Sequence, residues 1–136
     1  MEAGEVITVE PATLERVLPF FARLGTAKTS TSMQLETAQE TCRGGVCFAV
    51  TQGGQDVAGY SLTAHDFDRG RVLWVNGAGG AAGFDLTQTI MPVIEAQARD
   101  SGAAQVAYIT KRRGLIAKLE KQGYTVTGVV MRKKIT

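Results

Sequence analysis

Apolar and polar residues alternate in "EVITV" (5–9), the pattern of a half-buried strand. "ATLERVLPFFARLG" (12–25) instead spaces its apolar residues as a helix does. It closes on Gly25, where a left-handed cap belongs, and Pro19 bends or divides it. After the polar "TAKTSTS", Thr31 and Gln34 have capping-box spacing and predict a helix ending near "RGG". "VCFAVTQGGQDVAGYSLTAHD" reads as two strands joined by a turn at Gly53 and Gly54, and "RVLWVNG" (71–77) as a further strand.

The second half changes period. "DLTQTIMPVIEAQARDSG" (85–102) places Leu86, Ile90, Val93, Ile94 and Ala98 on one helical face, with Pro92 as a kink and Gly102 as the stop. "AQVAYIT" (104–110) is a short apolar strand, so strand, glycine loop, helix and strand predict one parallel crossover. A helix over "RRGLIAKLEKQGY" (112–124) and a closing strand "TVTGVVMRKKI" (125–135) complete the chain. The expectation is an α/β or α+β domain over residues 1–136. Its mixed, twisted sheet has six to seven strands and helices on both faces.

A chain of 136 residues supports one such core without disulfides or metals. No apolar run reaches the ~20 residues of a membrane span, and the start "MEAGE" lacks a secretory pattern, so the expected location is the cytoplasm, with no membrane partner. Cys42 and Cys47 read as reduced thiols, a local disulfide being the alternative, and with the lone His65 they offer no metal set.

Charge adds more. Residues 1–110 carry seven Lys or Arg against twelve Asp or Glu, whereas residues 111–136 carry eight against one, so a net +2 conceals −5 followed by +7. Lys111, Arg112 and Arg113 occupy a predicted first helical turn, where the macrodipole opposes each cation by roughly 0.3–1 kcal/mol. A bound anion would compensate: a pyrophosphate, a nucleic-acid backbone or an acidic protein. Thr110 is placed to cap that helix. The alternative is a solvated basic face.

"NGAGGAAGFD" suits either a phosphate cradle or an abrupt turn. Gly77, Gly79 and Ala82 also match a dinucleotide fingerprint, but only 26 residues follow Thr110, too few for a doubly wound sheet. Asp85 is the expected N-cap, and its charge would compete with a diphosphate.

The element order resembles the GNAT fold of acyl-coenzyme A N-acyltransferases. In that family a Q/R-x-x-G-x-G/A loop after the fourth strand binds the coenzyme pyrophosphate. Asn76, Gly79 and Ala81 fit this spacing, with Asn in place of Gln or Arg. Ile94, Glu95, Ala98, Gly102, Arg113, Gly114, Leu119, Gly123, Tyr124 and Lys133 resemble the tail of small phage- and prophage-encoded GNAT-like proteins. The resemblance implies acetyl-CoA or another acyl-CoA as ligand, bound by Val75, Asn76, Gly77, Gly79 and Gly80, with Lys111, Arg112 and Arg113 on its phosphates. It also implies a tyrosine acid four residues before Gly123, where this chain has Leu119, and a strand carboxylate as base, which neither "RVLWVNG" nor "AQVAYIT" contains. His65, with Asp66 and Asp68 beside it, is the substitute base; Tyr108, or Tyr60, is the substitute acid. Two functions fit: an N-acyltransferase with degenerate catalytic residues, or a non-catalytic binding or assembly protein of a phage, which would place it in the virion.

Overall fold

The alternating segment at the start of the chain pairs with the first arm of the glycine hairpin, and the sheet grows from there in sequence order. The computed structural model describes residues 6–22, 24, 26 and 29–136. Strands β1 (Ile7–Ala12), β2 (Val46–Gln52), β3 (Gln55–Phe67) and β4 (Gly70–Gly80) are antiparallel neighbours. Helix α3 (Leu86–Asp100) then carries the chain back so that β5 (Ala103–Tyr108) lies parallel to β4, as the crossover pattern predicts. Gly53 and Gly54, at φ +58° and +79°, make the tight turn between β2 and β3, a conformation that glycine adopts at no steric cost.

Helices cover both faces. On one, Val50, Tyr60, Leu62 and Val75 of the sheet pack against Ile90 and Ile94 of α3 and Leu119 of α4 (Arg113–Lys121). On the other, Ala49 and Cys47 meet Val17 of α1 (Leu14–Val17), Phe21 and Cys42 of α2 (Ala38–Cys42). Pro19 divides the first predicted helix as expected: α1 passes into a 3-10 turn over Leu18–Phe21 with the proline in its first turn. The expected cap at Gly25 and the strand position Glu5 lie outside the described residues.

Three expectations are corrected. The helix expected from Thr31 begins at Thr37, whose side chain forms a capping box with Glu40. Residues 31–36 turn instead, because Ser30 Oγ accepts the Gln34 N–H (2.9 Å) and Ser32 Oγ the Glu36 N–H (3.1 Å), while Met33 and Gln34 take positive φ. The glycines expected in a loop belong to β4, which runs on to Gly80. Two of them are small because the 3-10 turn and Leu24 beyond it lie directly on the strand: a Cβ on Gly77 would meet Leu24 Cδ1 at 2.6 Å, and one on Gly79 would overlap the Phe20 carbonyl oxygen. The described sheet has five strands rather than six to seven, since residues 125–135 pair with no described strand.

Candidate functional site

β4 and β5 part company midway. Their pairing ends at Val75 opposite Tyr108, yet β4 continues for five more residues with β3 as its neighbour. Over residues 76–80 one edge of β4 therefore faces away from any described strand and presents backbone N–H and C=O groups to a cleft. A register shift sharpens the divergence, because Leu62 pairs with Val75 and Ser61 with Gly77, leaving Asn76 as a bulge. The Asn76 amide is held by the Ser61 and Thr63 hydroxyls of β3, so the bulge is braced from the side chain while its backbone borders the opening.

The cleft has a volume of about 970 Å3, the upper end of the range for small-molecule sites. One wall is the β4 edge and the residues leading to α3. A second is the stretch from Tyr108 through Lys111, Arg112 and Arg113 to Lys118 on α4. The third comprises Phe20, Leu24, Ser30, Ser32, Glu36 and Thr41 from the segment around α2. The N-termini of α3 and α4 both open onto this space, and neither Leu86 nor Thr87 has an intrahelical acceptor for its N–H. Among the described residues, two positive helix ends and four cations meet two carboxylates, Glu36 and Asp85. Asp85 is already engaged: its Oδ1 accepts the Gln88 N–H as N-cap (3.2 Å) and lies 3.7 Å from Lys118 Nζ. The cap is as expected from the sequence. The charge it was expected to set against a diphosphate is offset by Lys118.

The site residues expected from sequence fall into three groups. Asn76, Gly77, Gly79, Gly80, Tyr108, Lys111, Arg112 and Arg113 all line the cleft. Val75 lies buried just beneath it. His65 does not join them: it pairs with Val72 on β4, exposed toward the hairpin end, and Asp66 beside it is taken by Arg71 (2.6 Å). Val72 lies four positions before Asn76, about 13 Å along a strand. The Ala81 N–H is spent on Val57 O (2.8 Å), and Thr110 Oγ1 accepts the Arg112 N–H (3.1 Å), leaving α4 without a side-chain cap.

Glu36 was not found by sequence reasoning. Its Oε2 accepts from Thr41 Oγ1 (3.3 Å), and only the fold brings both to the cleft. Leu119, at the position where a tyrosine acid was sought, is buried in the core. Tyr60 is equally unavailable, fully buried with its hydroxyl donating to Gln97 Oε1 (2.8 Å). Tyr108 is the phenol that borders the opening. Burial pushes it up to about 12, with Arg112 pulling the other way.

All three tyrosines are shifted upward. Desolvation raises Tyr60 to about 12 and, with the Glu95 carboxylate accepting its hydroxyl at 2.8 Å, lifts Tyr124 too. A raised folded-state value means that stability is complete below the ordinary tyrosine range near 10 and is lost as pH climbs through the folded value. Spectrophotometric titration is therefore expected to show no tyrosinate below about pH 10, followed by ionisation together with unfolding; a tyrosine ionising freely near 10 in the folded chain would contradict it.

No family model and no curated relative matches the chain. Solved structures do. An aminoglycoside acetyltransferase from an uncultured soil metagenomic sample is 11% identical, with a TM-score of 0.69 over 96% of this chain and 99% of that one. Glucosamine-6-phosphate N-acetyltransferase from Arabidopsis thaliana is 14% identical, with a TM-score of 0.63 over 97% and 100%. An aminoglycoside N-acetyltransferase in complex with CoA is 13% identical, with a TM-score of 0.60 over 100% and 99%. The chain has the GNAT fold. At these identities the likeness establishes architecture, and the activity has to be argued from the cleft. Among the described residues no helix is long and apolar enough to cross a membrane.

Proposed function

We propose that the chain is an acyl-coenzyme A-dependent N-acyltransferase whose coenzyme lies in the cleft between β4 and β5. The observation that carries this reading is the β4 edge at residues 76–80, which no described strand pairs and which faces a cationic wall built on two helix N-termini. A long ligand with an amide-bearing arm and a diphosphate matches such a surface: the backbone of residues 76–80 would hold the arm, and Lys111, Arg112, Arg113 and the first turn of α3 would hold the phosphates. When bound, the coenzyme supplies a thioester carbonyl for attack by an amine. Catalysis is then largely positioning. Burial holds the Tyr108 phenol well above a simple thiol near 8.5, so it would donate a hydrogen bond to the leaving sulfur and keep its own proton. Glu36 is the cleft carboxylate left to attract an ammonium group and to accept the proton released as the C–N bond forms.

Thiol release from acetyl-CoA in the presence of a panel of amines tests the reading. Tyr108→Phe is expected to lower kcat about tenfold or more with coenzyme affinity unchanged, and Glu36→Gln to lower kcat and to raise KM for the amine, also with coenzyme affinity unchanged. Loss of coenzyme affinity in either variant would contradict these roles.

A second reading, a coenzyme-binding module without turnover, is favoured by Leu119 being a core residue. It predicts coenzyme binding with no thiol release. The tail motifs extend both readings to a phage or prophage protein, with head or tail genes expected beside a binding module and modification genes beside an enzyme. Nucleic acid or an acidic protein remains the competing occupant of the basic wall; its binding would weaken steeply with salt and leave acetyl-CoA without effect.

A further inference from the structure

Cys42 and Cys47 take no part in the cleft chemistry, yet they lie directly behind it. The Gly45 N–H donates to Cys42 O (3.2 Å), and Arg43 at φ −63°, ψ 135° with Gly44 at φ +80° fits a type II turn, which folds the end of α2 back onto the start of β2. Both residues are thereby buried in one cluster as free thiols, 2% and 6% exposed. Beneath them Cys47, Ser61 and Gly77 form a row across β2, β3 and β4, and the Ser61 hydroxyl hydrogen-bonds both thiols. Cys42 rests on the far end of that row: a Cβ on Gly77 would lie 3.0 Å from its Sγ. Two links lead from here to the cleft. Ser61 Oγ also accepts from Asn76 Nδ2 (3.4 Å), and Thr41, next to Cys42, donates to the Glu36 carboxylate. On its other side the cluster meets a recess of about 520 Å3 lined by Cys42, Cys47, Gly44, Gly45 and Arg43.

We propose that Cys42 and Cys47 are a modification site, closed to a disulfide by exchange with a small anionic disulfide of the glutathione type, and that closure shifts α2 against β4 behind the cleft. Cys47, the more exposed thiol, attacks one sulfur of the small disulfide as its thiolate and releases the first glutathione thiolate; Cys42 then gives up its proton and attacks Cys47 Sγ, expelling the second. Two protein thiols are oxidised, and one disulfide is reduced to two thiols that take up the two protons. Arg43 at the recess supplies a cation for the carboxylates of such a molecule. Burial raises both thiols, Cys42 to about 11 with Cys47 adding to the rise. Exchange at neutral pH is therefore slow, but the product is durable, because thiols of this kind are poor leaving groups when a reductant attacks. The two sulfurs meet only if Cys42 swings off Gly77 and past the Ser61 hydroxyl. Asn76 then loses part of its brace, and Thr41 moves with α2. The modification stands apart from the coenzyme reading, whereas its effect on ligand affinity rests on that reading.

Mass spectrometry of the full chain, held in glutathione disulfide in large excess over glutathione, is expected to show both thiols lost together, with two hydrogens removed, no adduct retained and full reversal by dithiothreitol. Hydrogen exchange at residues 36–42 and 76–80 is expected to change in that species. Cys42→Ser lacks the thiol that closes the bond and is expected to keep one glutathione on Cys47, whereas Cys47→Ser is expected to keep none. Should either variant misfold, the wild type decides alone. Thiols that survive the excess, a stable adduct on wild-type Cys47, bridges between chains, an adduct on Cys42 in Cys47→Ser, or a closed disulfide with unchanged exchange at 76–80 each overturn the proposal. The oxidised chain is expected to bind acetyl-CoA at least about threefold more weakly than the reduced chain. Equal affinity in the two forms overturns the link to the cleft. A reduced chain that binds no coenzyme, while the disulfide forms and exchange changes, removes the coenzyme reading and leaves the modification site standing.

Discussion

Gly79→Ala is expected to lower the melting temperature by on the order of 10 °C. The added Cβ would overlap the Phe20 carbonyl oxygen, and that oxygen belongs to the backbone of the 3-10 turn, which has no rotamer to yield. Ordinary overpacking costs about 1–3 kcal/mol, and here the whole Leu18–Phe21 turn must lift from the sheet, exposing Phe21 and Val17, so about 3 kcal/mol is the expected loss. Gly114→Ala is the internal control. It meets nothing within 4 Å inside α4 and is expected to stabilise by roughly 0.5–1 kcal/mol. Equal melting curves for the two variants would mean that the turn does not rest on β4. A substitution at Gly79 thus reports packing before it reports ligand binding.

A cleaner probe of the site is the pair Arg112→Glu and Arg113→Glu, for which stability and affinity are expected to move in opposite directions. Arg112 is the N-cap of α4 and Arg113 its first residue, without a side-chain cap, so acidic replacements relieve the conflict with the helix dipole. The melting temperature should rise slightly. Coenzyme affinity should fall at least about a hundredfold, since two charge-assisted contacts, each worth ~1.5–3 kcal/mol, are replaced by repulsion. Increasing salt should weaken wild-type binding in the same sense. Unchanged affinity in the double variant would remove the basic wall from the site.

Much of this architecture was legible in the chain. The hairpin at Gly53 and Gly54, the break at Pro19, the Asp85 cap and the parallel crossover each rest on a local signal that no long-range contact overrides. The errors have equally local causes. Thr31 with Gln34 and Thr37 with Glu40 share one spacing, and the Ser30 and Ser32 hydroxyls, whose engagement no spacing reveals, decide for the second. Glycines in β4 read as a loop because glycine is poor in strands, whereas Gly77 and Gly79 are required by the approach of Leu24 and Phe20, each more than fifty residues earlier. In the site, the cations and the phosphate-compatible glycines stood out by composition. Glu36 did not, because its relevance depends on a wall that forms only when the segment around α2 closes over β4. His65 attracted notice by being the sole histidine, a chemical argument that the register of β3 on β4 sets aside.

The central claim is that the opening between β4 and β5 holds an acyl-coenzyme. Calorimetric titration of acetyl-CoA into the wild-type chain tests it most directly. The expected result is saturable binding with a micromolar Kd, about −8 kcal/mol at 1 μM, accompanied by a rise in melting temperature. No heat and no thermal shift at millimolar coenzyme would contradict it.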